Sequence, residues 1–172
     1  MPHSEQRHTW KPPPWSKLKV NFNGSVFREN QRAGVGAIVR NAEGSVLASM
    51  AESFHLPFSI AAMEVIATKK AIQFAKDIGL TSIILEGDLK SAIEGLKCKS
   101  SSLIEYGHLL VEARDVANQL DLVEFQYMPR QANKSAYNIA RHARHVSEFT
   151  MWMEDVPPHL VSVIQANSAI HQ

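Results

Sequence analysis

Cysteine is nearly absent. Cys98 stands alone, which excludes an internal disulfide framework and a zinc site built from several thiolates. Long apolar runs are missing as well, and no stretch approaches the roughly 20 residues of a membrane span. Glycine and proline number only 8 each, and no heptad persists, so collagen-like, low-complexity and coiled-coil classes are out. Excess charge of one sign is lacking too. The net charge of +1 means that any nucleic-acid contact must come from a local basic patch. The opening MPHSEQRHTW has no apolar stretch and carries Glu5, so neither a secretory signal nor a transit peptide is expected. With a lone cysteine, the expectation is an intracellular, reducing setting, nuclear or cytoplasmic.

What is present is ordinary globular material. Of 172 residues, 45% are apolar and 20% charged, enough for one domain with a continuous core. Residues 1–16 read as a tail, because Lys11-Pro12-Pro13-Pro14 favours polyproline II; Trp10 and Trp15 flank it and can pack on the domain. The domain itself is expected over residues 17–147, and 148–172 as a second tail lying along the surface.

Leu18, Val20 and Phe22 alternate with polar residues, the pattern of a half-buried strand, which Asn23-Gly24-Ser25 ends. Ala33–Arg40 is a second strand whose glycines admit a neighbouring backbone. Asn41–Gly44 is a turn, and Ser45–Glu52 a third strand, completing an antiparallel meander. Ser59 caps a long helix that Gly79 closes. The apolar Thr81–Leu85 reads as a strand buried on both faces, and Asp88 as the cap of a short helix ending near Lys97. Helices over 103–120 and 132–146 bracket a fifth strand, Leu122–Tyr127. The order βββαβααβα gives an α/β fold with a five-stranded mixed sheet and helices on both faces.

Three residues stand out chemically. Glu64 lies on the flank of the long helix's apolar stripe, where a carboxylate is costly unless paired. It is either a boundary residue reaching water or part of a site. Asp88 follows the C-terminal end of an apolar strand, the edge where α/β sheets bind ligands; capping and binding are compatible there. Asn23 points away from the Leu18–Val20–Phe22 face. If the first and fourth strands are parallel neighbours, Asn23, Asp88 and Glu64 converge.

Charge is also distributed unevenly. From Met128 to Ser147 there is no acid, while Arg130, Lys134, Arg141 and Arg144 are basic. In the final helix Ala132, Ala136, Ile139, Ala140, Ala143 and Val146 make an apolar face. Lys134, Tyr137, Asn138, Arg141, Arg144 and His145 gather opposite it. That surface is either a solvated basic face or one that contacts phosphates. His142 and His145 share a helix face but no third ligand is evident, so zinc is not expected. His3, His8 and His171 lie in the tails.

The segments KVNFNGS, GVGAIVRNAEGSVLAS, AAMEVIATKKAIQFAKDIG, SIILEGDLKSAIEGL and YMPRQANKSAYNIARHA together resemble a type 1 ribonuclease H domain. More narrowly they are similar to the ribonuclease H-like domains of plant non-LTR retroelements and their domesticated relatives, as are the flanks WKPPPW and WMEDVPP. The resemblance spans about residues 10–160. It implies a ribonuclease H-like fold and a site that cuts the RNA strand of an RNA–DNA hybrid with two Mg²⁺ ions and four acids. One metal activates the attacking water and the other stabilises the leaving oxygen. Glu64 and Asp88 match two of the acids. Asn23 and Tyr137 stand where the family has the other two. Asn23 offers a neutral oxygen, and tyrosine stays protonated at neutral pH because its pKa is about 10. Two carboxylates are expected to hold at most one Mg²⁺ or Mn²⁺, weakly.

If catalysis is lost, what the resemblance leaves is a surface for RNA–DNA hybrid or RNA. Phosphate and polar contacts are expected from Gly24, Ser25, Ser59, Lys134, Asn138, Arg141 and Arg144, with Tyr137 stacking on a base or sugar. Three functions follow: a nucleic-acid-binding domain with a degenerate site, a weakly active Mg²⁺- or Mn²⁺-dependent hybrid nuclease, and a protein-interaction scaffold. In the last, the open edge strand Ser45–Glu52 or the C-terminal tail would take the partner.

Overall fold

The computed structural model describes residues 9–97 and 107–168. Its elements in chain order are β1 (Lys19–Phe27), β2 (Arg32–Arg40), β3 (Val46–His55), α1 (Ile60–Asp77), β4 (Ser82–Gly87), α2 (Lys90–Lys97), α3 (Gly107–Ala117), β5 (Leu122–Tyr127), α4 (Lys134–His142), β6 (Phe149–Met153) and α5 (Val161–Ser168). One mixed sheet runs in the order β5-β4-β1-β2-β3-β6. The meander β1-β2-β3 is antiparallel, and β4 and β5 are added parallel to β1.

Two apolar layers sandwich the sheet. Val20, Phe22, Val35, Met50 and Leu85 pack with Met63, Ala67 and Ala71 of α1 and with α2 and α3. On the opposite face Phe27, Ile38 and Ala51 meet Ile139, Ala143 and the C-terminal residues Val156, Leu160 and Ile164. Large side chains buried this completely each contribute about 1.5–3 kcal/mol. The helix over the second layer needs small neighbours. A Cβ on Gly36 would overlap the Ala140 backbone nitrogen and lie 2.6 Å from the Ile139 carbonyl carbon, so glycine there lets α4 rest on β2 as its pattern suggested.

The structure revises several boundaries. Asn23-Gly24-Ser25 does not end β1; the strand continues to Phe27, pairing Asn23 with Gly36 and Ser25 with Gly34. Backbone pairing to β2, which follows after a short turn, carries the strand past the glycine. α2 begins at Lys90, two residues after Asp88. The helix expected over 132–146 is shorter: 3-10 turns at Arg130–Ala132 and Ala143–His145 flank an α-helix of 9 residues. The start expected for α3 at Leu103, like Cys98, lies outside the described residues.

The sheet has six strands rather than five. The segment read as a surface tail supplies β6, which pairs antiparallel with β3, and α5. Val46–His55 is therefore an inner strand and its edge is covered. The Ser59 cap forms as expected, its hydroxyl accepting from Ala62 N at 3.0 Å, and Gly79 follows α1 with φ +90. Trp10 is buried, while Trp15 stays exposed. Among the described residues no helix is long and apolar enough to cross a membrane.

Candidate nucleic-acid site

Two polar side chains on one face of β1, Asn21 and Asn23, are separated by the strand's two-residue repeat. They have very different surroundings. Asn21 pairs in register with Glu86 of β4 and donates to its carboxylate at 2.9 Å and to Asn133 Oδ1 at 3.2 Å. Its carbonyl accepts from Trp10 Nε1 at 2.8 Å and from Arg40 at 3.1 Å. Glu86 also meets Lys19 at 3.2 Å. Asn133 holds the start of α4 to β1 through the Phe22 carbonyl at 2.9 Å. Arg40 is fully buried. It lies 4.0 Å from the Trp10 ring centre and donates to Asn167 and Ser168 of α5 at 3.1 and 2.7 Å. Burial pushes its guanidinium down to about 9, so it remains charged at neutral pH beside Glu86.

One repeat further on lies the candidate site. β1 and β4 are parallel neighbours, as the convergence of Asn23 and Asp88 required, and their pairing stops at Phe22 and Gly87. Asn23 and Asp88 therefore follow on adjacent strands where the sheet opens. Asn23 is buried. Its carbonyl accepts from Gly24 N at 2.8 Å, and its buried Nδ2 has no partner among the described residues. Asp88 Oδ1 is likewise buried and unpartnered. Its Oδ2 meets Arg130 Nε at 3.4 Å.

Glu64 reaches the same place from α1. Gly24 makes this approach possible, since a Cβ there would lie 2.5 Å from Met63 Sδ and 3.4 Å from Ala67 Cβ. Gly24 thus has a packing role inside a strand, and Ser25 is a buried strand residue; neither forms the open loop expected of them. Burial raises the Glu64 pKa above its ordinary value, and the nearby Asp88 charge adds to the rise. Burial raises Asp88 too, against the opposing pull of Arg130. Both shifts mark carboxylates held in a partly dehydrated site, a common property of functional sites.

Tyr137 joins through Arg130, whose guanidinium carbon lies 5.2 Å from the tyrosine ring centre. Arg130 thereby links Asp88 and Tyr137, a role its place in the basic stretch did not single out. The other basic residues divide. Lys134 is exposed at the start of α4, where Asn138 Nδ2 donates to its carbonyl at 2.8 Å. Arg141 and Arg144 lie over Phe27 at 5.8 and 5.1 Å, and Arg144 also pairs with Glu29 at 2.7 Å. They belong to the far end of β1, four residues beyond Asn23.

The donor set does not fit two divalent cations. Two such ions bring four positive charges, and the site offers two carboxylates, one of them already beside an arginine. Asn23 as oriented presents an N–H₂ group. A single cation would have Glu64 and Asp88 as its charged ligands. Among the described residues no three His, Cys, Asp or Glu side chains are grouped to hold a metal. The histidines do gather more than the sequence indicated. His159 brings its ring 4.7 Å from His142, with His145 at 6.0 Å and Trp152 at 5.8 Å.

Residues 21–143 match the family model described as reverse transcriptase-like. The comparison with curated proteins gave no match. Among solved structures, the chain is similar to the N-terminal RNase H domain of a Mycobacterium tuberculosis protein, solved as a fusion with maltose-binding protein. There the TM-score is 0.65 at 22% identity over 75% of this chain and 94% of that one. It is similar also to RNase H1 from the halophilic archaeon Halobacterium salinarum, with TM-score 0.67, 21% identity, and 75% and 98% coverage. A third is LC11-RNase H1 in complex with an RNA/DNA hybrid, with TM-score 0.63, 12% identity, and 73% and 95% coverage. Identities this low establish the shared fold alone.

Proposed function

Because the chain belongs to the reverse transcriptase-like family, we propose that it binds RNA–DNA hybrid or RNA on an RNase H-like surface and has little or no nuclease activity. The observation that carries this reading is the charge deficit at the sheet opening. Where four acids would serve two metals, Glu64 and Asp88 remain, with Asn23 and Tyr137 beside them and Arg130 against Asp88. Loss of a central catalytic group costs several powers of ten in rate. What remains suits phosphate binding: Arg130, Lys134, Arg141 and Arg144 supply cations, and Ser59 and Asn138 supply polar groups. Tyr137 adds a ring for stacking on a base or sugar. Any Mg²⁺ or Mn²⁺ would rest on Glu64 and Asp88 alone. The flanks WKPPPW and WMEDVPP support a retroelement-derived origin among plant proteins.

The test is a labelled RNA–DNA hybrid incubated with Mg²⁺ and with Mn²⁺, using the parent and the Asn23→Asp, Tyr137→Asp double variant. We expect the parent to bind without cutting and the double variant to gain cleavage. Binding should weaken steeply with salt, and the Arg141→Glu, Arg144→Glu variant should abolish it. Cleavage by the parent that Asp88→Asn abolishes would make the protein an enzyme instead. Salt-independent behaviour with no hybrid binding would leave the scaffold reading.

A further inference from the structure

The outer strand of the sheet carries a second surface, remote from the Asn23–Asp88 opening. β6 is an edge strand, with β3 on one side. Two backbone bonds fix its orientation: Ser53 N donates to the Glu148 carbonyl and Glu154 N donates to the Leu47 carbonyl, each at 2.7 Å. In an antiparallel ladder alternate residues turn both N–H and C=O to the same neighbour. Residues 148, 150, 152 and 154 therefore face β3. The N–H and C=O groups of Phe149, Met151 and Met153 point outward, away from the sheet.

The same three residues place their side chains on one face. Their register partners Glu52, Met50 and Ala48 identify it as the face that buries Met50 beneath α1. Beyond that core the stripe emerges, with Phe149, Met151 and Met153 exposed by 49%, 43% and 56%. Natural sheets usually guard such an edge with lysine or proline, and FTMWM has neither. Methionine adapts its shape to varied apolar partners.

Charge decides which strand fits. Exposed Glu148 stands before the stripe, and exposed Glu154 and Asp155 follow it. A second copy pairing antiparallel about Met151 would set Glu148 against Glu154, a like-charge pairing that disfavours self-association. We propose that β6 is a docking edge for an extended peptide whose alternate residues are apolar and whose flanks carry lysine or arginine. The added strand takes the outward backbone groups of Phe149, Met151 and Met153 and covers their side chains, a recognition mode known from strand addition.

The probe is a labelled synthetic peptide with alternating valine and threonine between flanking lysines, titrated into the full chain and followed by fluorescence anisotropy. Met151→Pro removes one outward donor and no bond to β3, which an edge strand tolerates. Met151→Lys leaves the backbone intact and charges the stripe. Each is expected to weaken binding by about tenfold, the scale of one lost hydrogen bond or one like-charge clash. The Glu148→Lys, Glu154→Lys variant should lose the lysine-flanked peptide and gain a glutamate-flanked one. Melting curves matching the parent confirm that the variants fold. Absence of binding to the parent, or binding indifferent to both Met151 variants, overturns the proposal. So does a dimer in sedimentation equilibrium that Met151→Pro dissolves, since a second copy would then own the edge.

Discussion

Asn21 with Glu86 and Asn23 with Asp88 are neighbouring steps on the same two strands, yet only the first pair is satisfied. Around Asn21 and Glu86 the amide and carboxylate groups find partners in Trp10, Lys19, Arg40 and Asn133. Among the described residues, Asn23 and Asp88 each leave a buried polar atom of the pair itself without a partner, whereas beside the first pair the unpartnered atom is Arg40 Nε, on a guanidinium that bonds through its other nitrogens. Folding rarely leaves such atoms unpaired, because each costs about 1–3 kcal/mol. The contrast separates two uses of polarity. The first cluster is structural, tying residues from both ends of the described chain to the sheet. The second is left open, as expected where a ligand is to supply the missing partners.

The comparison breaks first at Arg40. Arg40→Met should remove its bonds to Asn21, Ser135, Asn167 and Ser168 and take a buried cation from beside Glu86, which keeps Lys19 and the Asn21 amide. A loss of about 3–5 kcal/mol in urea unfolding is expected, as for other buried charges deprived of a partner. An effect below about 1 kcal/mol would show that the cluster contributes little to holding the fold.

Paired alanine substitutions sharpen it next. Asn21→Ala should cost about 3 kcal/mol, because several buried groups lose their partner at once. Asn23→Ala should cost about 1 kcal/mol or less, because only the Gly24 N–H is released. Equal losses at the two positions would erase the distinction drawn between them.

Removing the site's carboxyl charges should have the opposite sign. Glu64 and Asp88 titrate above their ordinary values, chiefly through burial. Stability linked to each is therefore fully present below the unfolded carboxylate value and lost as pH rises through the raised folded value. Glu64→Gln and Asp88→Asn should each melt slightly higher than the parent at neutral pH. The gain should vanish in acid below the ordinary carboxylate range. A melting point lowered at neutral pH would show that Arg130 and the surrounding dipoles outweigh burial.

The smallest effect concerns His142, lowered from its ordinary value by burial and then by His159 and His145. A folded histidine that resists protonation makes the unfolded state the better proton acceptor. Stability should therefore fall as pH drops below the ordinary histidine value near 6.5. His142→Gln should flatten that slope, read from melting temperatures across the range.

Much of this was legible in the chain itself. The alternation of Leu18, Val20 and Phe22, the Ser59 cap, the Gly79 stop and the apolar face of Ala136, Ile139 and Ala140 each carry local physics that survives folding. The position of β6 was not legible. Phe149–Met153 is a short apolar run, and nothing local says that β3 is its neighbour. Arg130 was hidden for a related reason, since its role depends on where the Met128–Asn133 loop crosses Asp88. His159 could not be connected with His142 before the C-terminal segment folded back.

By itself, then, the sequence determined the elements, their order through α4, and the neutral side chains at Asn23 and Tyr137. These depend on periodicity, capping and side-chain charge, which are properties of short segments. Only the tertiary structure decided which polar side chains are satisfied, which strand forms the edge and which cation faces Asp88. Those outcomes depend on contacts between residues distant in sequence, and no local pattern encodes the distance between them.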